Sequence, residues 1–485
     1  MDDHRHLVSS GGEVMKTPSV RTTLALSFVA LLGPVPLLAQ TQFASFTGTV
    51  TSKDGNPLPK VDVVATNQAT QVTYAAKSND AGLYTISALP IGTYKVRAQA
   101  PNFQAFETNP IKLESGQIAR VDITMQIGGV AENVEVTAVA PILQTQDAVV
   151  GDVISGTTIQ AMPLNGRNFS QLSLLLPGVV TTEPDSFTEP KNFGSGRPFV
   201  NGQREQENNY MLDGIDMNEP IDNLLPYQPS PDALAEVRVE TNNYNAEFGN
   251  VAGALIGSTI KSGTNEFHGN AFEYWRDSSM AANSWDNNRV TPAAKKAQLS
   301  QHIFGVTLGG PIVKNKVFFF GDYQGFIRNK PGELVRSVAP EAWRRGDFSG
   351  VGVTIRDPLT GQPFPGNIIP ASRFSPIARA VLANQTLYPL PNRPGNTNNL
   401  VGPFSDTKRT HQGDFKVDAN LSDNDRIFAR VSYQHFVSEP DRAPIQSNLI
   451  ATNNAPFLGT AFNWTHNLGS SALNELLLGF SHVKF

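Results

Sequence analysis

The sequence predicts a mainly β protein: an N-terminal β-sandwich, an α+β unit, and the first strands of an incomplete transmembrane antiparallel β-barrel. Three observations carry this. Between Phe43 and Met125, short alternating runs recur roughly every ten residues with turn residues between them, the spacing of a sandwich. From Asn265 the runs lengthen to about ten residues each, enough to cross a bilayer as tilted strands, and their connections alternate short and long. Between these two regions, residues 230–269 pass from strand patterning through an Asn- and Gly-rich bend to a strand of small residues.

Composition narrows the classes. The 485 residues carry a formal net charge of -5, too mild to imply nucleic acid or an anionic membrane surface as partner. Charged residues make up 17%, below the roughly 25% of soluble domains, while 40 Gly and 34 Pro supply turns between strands. The absence of Cys excludes disulfides, thiolate metal sites and Cys nucleophiles, so stability must come from burial and strand pairing.

In chain order, Met15-Lys16, Arg21 and the apolar run from Leu24 to Leu38 read as a secretory signal with a charged start. Residues 1–39 are therefore assigned to a leader and signal peptide, with Met15 as the expected start and cleavage after Ala39, although Leu37 is not the small residue usual there. Gly33 and Pro34-Val35-Pro36 interrupt the run, which is too short and broken for a transmembrane helix.

Residues 43–128 are assigned to the sandwich. Thr47-Gly48-Thr49-Val50 precedes the turn Asp54-Gly55-Asn56-Pro57, after which Val61, Val63 and Ala65 share one face. Asn79-Asp80-Ala81-Gly82 turns into Leu83-Tyr84-Thr85-Ile86, and Pro90-Ile91-Gly92 into Tyr94, Val96 and Ala98. These phrases resemble the carboxypeptidase regulatory-like (transthyretin-like) module, which despite that name carries no peptidase chemistry. No paired Glu and His for zinc accompany it.

After the linker 128–131 comes the β-prone Glu132-Asn133-Val134-Glu135-Val136-Thr137-Ala138. The α+β unit is assigned to 133–262. Asp147 to Ile154 read as strand and turn, and a helix is expected from apolar spacing at Phe169, Leu172 and Leu176, ended by Pro177-Gly178. Strands are expected around a turn at Asp213-Gly214, which lacks the further acids of a calcium loop. Further on, Pro231 and Asp232 open a short helical turn through Ala235, and Val237 and Val239 alternate with Arg238 and Glu240 to leave one polar face. Gly257 and Ser258 are expected to let another backbone pass close.

The run Ala235-Glu236-Val237-Arg238-Val239, Tyr244-Asn245-Ala246-Glu247-Phe248-Gly249, Ala252-Gly253-Ala254 and Lys261-Ser262-Gly263-Thr264-Asn265-Glu266-Phe267-His268-Gly269 resembles the end of the plug domain of TonB-dependent outer-membrane receptors. With Pro163-Leu164-Asn165-Gly166-Arg167-Asn168-Phe169 before it, the wording is most similar to the Oar-like branch. The resemblance implies a plug whose signature residues are Asp213, Gly214, Glu236, Val237, Gly249, Gly253, Lys261 and Gly263. It also implies that a nearby segment, Glu132, Asn133, Val134, Glu135 and Val136, pairs edge to edge with the TonB protein by β-augmentation. The same segment read as the first plug strand remains open.

Residues 263–485 are assigned to the partial barrel. Phe304, Val306 and Leu308 alternate with Gly305, Thr307 and Gly309. Phe415, Val417, Ala419 and Leu421 alternate with Asp414, Lys416, Asp418 and Asn420; after the turn at 422–425, Ile427, Ala429, Val431 and Tyr433 continue the pattern. One apolar and one charged face suit lipid outside and a polar lumen, although a soluble half-buried sheet gives the same alternation. Short turns at 310–316 and 422–425 and long connections at 277–300, 329–408 and 438–456 fit periplasmic turns and extracellular loops. About seven strands are counted where plugged transporters use about 22, so the chain reads as a C-terminally truncated fragment.

No catalytic motif emerges. The glycines at 253 and 257 have the wrong spacing for a phosphate loop, with Lys261 too late, and the eight His form no His-x-x-x-His pair. Histidines 268, 302, 411, 435 and 466 are expected at lumen or interface positions. No enzyme, cofactor or metal is predicted. The resemblance implies a receptor in the bacterial outer membrane that admits an extracellular ligand through a plugged barrel. Its partners would be TonB, outer-membrane lipid and a ligand that could be oligosaccharide, siderophore or peptide. The competing readings are a structural or adhesive surface protein without transport, and a periplasmic carbohydrate-binding protein built on the sandwich.

Overall fold

A computed structural model describes residues 43–128, 133–136, 149–182, 196–244, 248–289, 291–386, 388–441, 453–468 and 472–484. The expected leader and signal peptide, Glu132 and the bend residues 245–247 lie outside the described residues.

The N-terminal part packs two sheets. One is built on β1 (Ala44–Ser52), which pairs antiparallel with β4 (Leu83–Leu89) and parallel with β8 (Ile118–Arg120) and β9 (Ile123–Met125). The other runs β6-β5-β2-β3 across Ala105–Thr108, Gly92–Gln99, Asp62–Asn67 and Thr73–Lys77, with β7 (Ile111–Leu113) beside β5. The expected period of two buries Phe46, Val63, Ala65, Val96 and Ala98 between the sheets. Each such Val or Phe contributes about 1.5–3 kcal/mol of apolar burial. Tyr84 and Tyr94 enter the core because their hydroxyls find acceptors, donating to Val121 O at 2.7 Å and Pro90 O at 2.6 Å.

A four-residue strand extends that second sheet at the β6 side. Strand β10 (Asn133–Val136) pairs in parallel with β6, Asn133 level with Ala105 and Val136 with Thr108. The reading of this segment as the first strand of the central unit is therefore wrong. That place belongs to β11 (Val150–Ser155), which pairs with β16 (Leu234–Asn242).

The central unit holds a mixed sheet in the order β11-β16-β17-β14-β15, with β17 at Leu255–Ile260, β14 at Asn209–Leu212 and β15 at Ile215–Asp216. Asp213 (φ +47°) and Gly214 (φ +79°) make the β14–β15 turn, and two successive positive φ values explain the Asp-Gly pair. A short pair, β12 (Val179–Val180) and β13 (Phe199–Val200), lies apart from that sheet. Two helical expectations change. Phe169–Leu175 is a 3-10 helix: Asn168 accepts from Ser170 N at 2.9 Å, Ser173 Oγ donates back to Ser170 O at 2.6 Å, and Pro177 forbids a further turn. Pro231 to Ala233 form a plain turn, because Leu234 is already paired with Ile260.

Seven strands then run in sequence order as neighbours: β18 (His268–Asp277), β19 (Ser300–Val313), β20 (Val317–Arg336), β21 (Leu400–Asn420), β22 (Asp425–Asp441), β23 (Asn453–Asn467) and β24 (Leu473–Val483). All adjacent pairs are antiparallel, and among the described residues β18 and β24 are the sheet's edges. Most strands exceed the expected ten residues. The 20 residues of β20 extend roughly 70 Å, well past a hydrocarbon core about 30 Å thick. Pairing continues to Arg336 opposite Leu400, so the connection expected at 329–408 shrinks to 337–399.

Phe318, Phe320 and Phe457 of this sheet turn inward onto the apolar cores, but along the β21–β22 hairpin the faces are largely inverted relative to a soluble sheet. Gln412, Asp414, Lys416, Arg430, Ser432 and Gln434 are buried, while Phe415, Val431, Tyr433, Leu478 and Phe480 are exposed. The alternation that sequence patterning left ambiguous thus places polar side chains inward, against the central unit.

Candidate functional site

The inner face of the β21–β22 hairpin grips the β14–β15 turn. Register sets Lys416 opposite Arg430 and Asp414 opposite Ser432, so alternation aims all four at the central unit. Asp213 Oδ1 accepts from Lys416 Nζ at 3.1 Å and from Ile260 N at 3.2 Å. Its Oδ2 lies 2.8 Å from Arg430 Nε, as an ion pair without the alignment of a directed hydrogen bond. Arg430 also donates to Leu212 O at 3.2 Å and to Ser432 Oγ, which in turn donates to Asp414. Tyr227 OH donates to the other Asp414 oxygen at 2.6 Å. Asp213, Asp414, Lys416 and Arg430, nearly all at 1% exposure or less, make a buried charge cluster in a low-dielectric setting, with Asp322 beside it accepting from Asp414 N at 3.1 Å.

A strap over 226–232 extends the grip. Gln434 donates to Pro226 O at 3.2 Å, Gln412 donates to Gln228 O at 2.8 Å, and Ser230 Oγ donates to Gln324 Oε1 at 3.1 Å. The Tyr227 ring stacks on Phe457 with centroids 5.0 Å apart. At the strap's end Asp232 pairs with Arg167 and accepts from Asn270 Nδ2 at 2.7 Å, while its carbonyl accepts from Lys261 Nζ at 2.8 Å. Burial pushes the Lys261 ammonium below its usual range, with Asp232 opposing. The Arg167 guanidinium sits 4.7 and 4.6 Å from the ring centroids of Phe272 and Tyr274 on β18.

Of the residues singled out in the sequence, Asp213, Gly214 and Lys261 belong to these clusters, and Val237 is buried in the core beneath them. Gly263 marks the passage into the long-strand sheet. A Cβ there would lie 2.4 Å from Phe319 O and 2.5 Å from Gly310 O. Gly253 is similarly pressed against Asn208 Oδ1, at 2.4 Å. Gly257 is not: its nearest neighbour, Arg238 O, is 3.9 Å away, so the expected close approach is misplaced. Gly249 meets nothing within 4 Å and contributes a carbonyl to Asn209 Nδ2 at 3.3 Å. The sequence assigns no site role to Tyr227, Arg167, Asp414 or Arg430. Their signal was the charged face of the 414–430 hairpin, whose partner sequence alone could not supply.

Glu236 lies elsewhere, on the polar face of β16. That face is covered by the sandwich: Ser115 N donates to Glu236 Oε1 at 2.7 Å, and Arg238 Nη1 donates to Ser115 O at 2.5 Å. Burial pushes the Glu236 carboxyl up to about 7, against the bond from Ser115. The docked form therefore holds a proton that a free carboxyl would release near 4.5, and docking weakens as pH rises from about 4.5 to about 7. Glu236→Gln is expected to gain stability over wild type across that window, by at most about 3 kcal/mol, and to differ no further above it. Paired thermal melts from pH 4 to 8 test this; parallel curves would refute it.

Further contacts seat the sandwich at the short-turn end of the sheet. Asn265 N donates to Ala69 O at 3.1 Å and its side chain to Thr70 O at 2.7 Å, while Arg426 lies 4.0 Å above the Tyr74 ring. A cavity of about 390 Å³ lies between the three parts, lined in part by Tyr74, Ile91, Glu236, Ile260, Lys416 and Phe428. Of the lumen or interface positions expected for the histidines, the lumen does not hold His302, His411 or His466, which face outward: His302 meets Glu273 at 2.9 Å, His411 Tyr323 at 2.7 Å and His466 Asp425 at 2.7 Å. Among the described residues no three His, Asp or Glu are grouped to hold a metal.

A family model described as an outer membrane beta barrel domain matches residues 259–485, and one described as a carboxypeptidase regulatory-like domain matches 45–126. The TonB-dependent transporter Oar of Myxococcus xanthus is 26% identical over 293 residues, covering 58% of this chain and 26% of that protein. The chain thus spans about a quarter of the length of this curated relative. Solved structures similar to it include the outer membrane transporter YddB from Escherichia coli, at 11% identity and TM-score 0.44, covering 69% of this chain and 39% of that one. Another is the siderophore receptor PirA from Pseudomonas aeruginosa, at 12% identity and TM-score 0.32, covering 68% and 47%. The barrel domain and the homology to Oar put the chain in the bacterial outer membrane.

Proposed function

We propose, starting from the homology of this chain to a TonB-dependent transporter of the outer membrane, that it acts as a receptor admitting an extracellular ligand through a plugged barrel. In this reading residues 1–39 are removed on export, 43–128 with the strand 133–136 form a periplasmic sandwich, 150–262 the plug and 263–485 strands of the barrel wall. The ligand is gathered by the long connections at 278–299 and 337–399, opposite the short turns where the sandwich sits. No catalytic step is assigned to any residue.

The observation that supports this best is the polar, ion-paired contact between the hairpin β21–β22 and the turn at Asp213. An apolar core would have to be torn open at full hydrophobic cost. A seam of hydrogen bonds and paired charges can exchange partners for water as it slides, and water bridges are nearly as good as direct bonds. Such a seam suits a plug that is closed at rest and moved by force. The force would come from TonB, acting on the strand Asn133–Val136 just ahead of the plug.

Deleting Asn133–Val136 in the full-length receptor tests the reading. Ligand binding to cells is expected to persist while energy-dependent uptake is abolished. Unchanged uptake would leave the adhesive reading as the better one.

A further inference from the structure

Toward the long connections, the outward face of the long-strand sheet turns from apolar to hydrogen-bonding. Register sets His302 level with Ile327, Arg409 and Val437, and the next row sets Gly325 level with His411, His435 and Pro456. Lys484 N donates to Pro456 O at 3.2 Å, which puts Lys484 in that same row, and His482 lies opposite Leu458 one row further from the connections. Alternation directs these side chains away from the central unit, since Gln412, Gln434 and Phe457 between them are buried. His302, Arg409, His411, His435, His482 and Lys484 thus form a belt three rows deep. Glu273, 2.9 Å from His302, is the one acid among the described residues of those rows; Arg409 also meets Glu439, one row beyond, at 3.5 Å. His411 and His435 each spend one ring nitrogen on a neighbour, Tyr323 OH at 2.7 Å and Asn454 Oδ1 at 2.8 Å, and the other nitrogen meets no partner among the described residues.

The belt lies where a bilayer surface would. His435 comes ten positions after Asp425 on β22, roughly 34 Å of strand and roughly 26 Å at a tilt of about 40°, close to the height of an outer-membrane barrel's apolar band. Ile427, Ala429, Val431 and Tyr433 are the outward residues between them. At the belt, exposed Tyr323, Tyr433 and Trp275 supply the amphipathic rings that gather at an interface. The short-turn end of the same face presents Asp425 and His466 bonded to each other at 2.7 Å. We propose that the belt binds the phosphates of the glycolipid in the extracellular leaflet and so holds a shell of anionic lipid against the wall. A phosphate offers several acceptor oxygens and a charge that Arg409 and Lys484 answer, with the imidazoles beside them. Three features favour lipid over phosphate in solution. The belt faces away from the interior, borders the apolar side chains that acyl chains would cover, and spreads from β19 to β24 instead of closing into a pocket. From the reading above it takes only the orientation, with the long connections outside.

The probe is purified lipid A with its phosphates, set against the same lipid after their removal, each titrated onto the full-length protein in detergent. The phosphorylated lipid is expected to bind at least tenfold tighter. Arg409→Gln, His411→Gln and His435→Gln combined, all at outward positions, are expected to abolish that preference with heat-modifiability unchanged. Equal binding of the two lipids by the wild-type protein would overturn the proposal, and that result needs no variant to fold. A preference that survives the triple substitution in folded protein would overturn it too. Displacement of the bound lipid by inorganic phosphate would mark a free-anion site and sink the assignment to lipid. Unchanged uptake after deletion of Asn133–Val136 would count against transport and leave this lipid preference as it stands.

Discussion

Asp213→Ala is expected to cost the folded protein about 3–5 kcal/mol, the range for removing one partner from a buried ion pair. The carboxylate answers two cations, Lys416 and Arg430, and accepts a bond from Ile260 N. Without it Arg430 keeps Asp414 at 4.0 Å, Lys416 keeps the Ile260 carbonyl at 3.1 Å, and the amide of Ile260 loses its acceptor in a dry interior. The turn suffers as well, since φ at position 213 is +47°, a region Asp and Asn tolerate better than Ala. Asp213→Asn separates these terms: it preserves the turn and an acceptor oxygen and removes only the charge. Denaturant unfolding of the detergent-solubilised protein is the measurement. If Asp213→Ala were as stable as wild type, the cluster would not be holding the central unit to the sheet.

Gly263→Ala is expected to be nearly as damaging, by about 3 kcal/mol, at the upper end of overpacking costs. Its added methyl would lie 2.4 and 2.5 Å from two main-chain carbonyl oxygens, and backbone cannot step aside as a side-chain tip can. The chain enters the long-strand sheet here, so displacement is felt by both β19 and β20. Gly257→Ala provides the contrast, with its nearest atom at 3.9 Å and an expected effect within about 0.5 kcal/mol. The fraction that runs as folded, heat-modifiable protein in outer-membrane preparations should fall sharply for the first and stay level for the second. Equal behaviour of the two would remove the steric account.

Much of the architecture was legible in residues. Val61, Val63 and Ala65, or Phe415 against Asp414 and Lys416, announce strands because the side-chain period of an extended chain is two. The Asp213-Gly214 turn was legible because few other pairs adopt two positive φ values in succession. The long strands were under-read. Pro331, Gly332, Gly402 and Pro403 look like loop punctuation, yet β20 and β21 carry them in continuous register, helped by the ion pair of Arg328 with Asp406. Cross-strand pairing outweighed local propensity there.

What the sequence determined by itself was the set of strands, their two faces, and the resemblance that names a plug and a barrel. Tertiary structure alone decided which face is inside. Alternation says that two faces differ, but Asp414, Lys416 and Arg430 point inward only because the central unit brings them Asp213 and Tyr227. It likewise decided where small residues matter, since close approach at Gly263 is a property of Phe319 and Gly310 across the sheet. It also decided the place of Asn133–Val136. A four-residue strand offers backbone edges that any neighbour can use, and nothing in its side chains states that the sandwich is that neighbour.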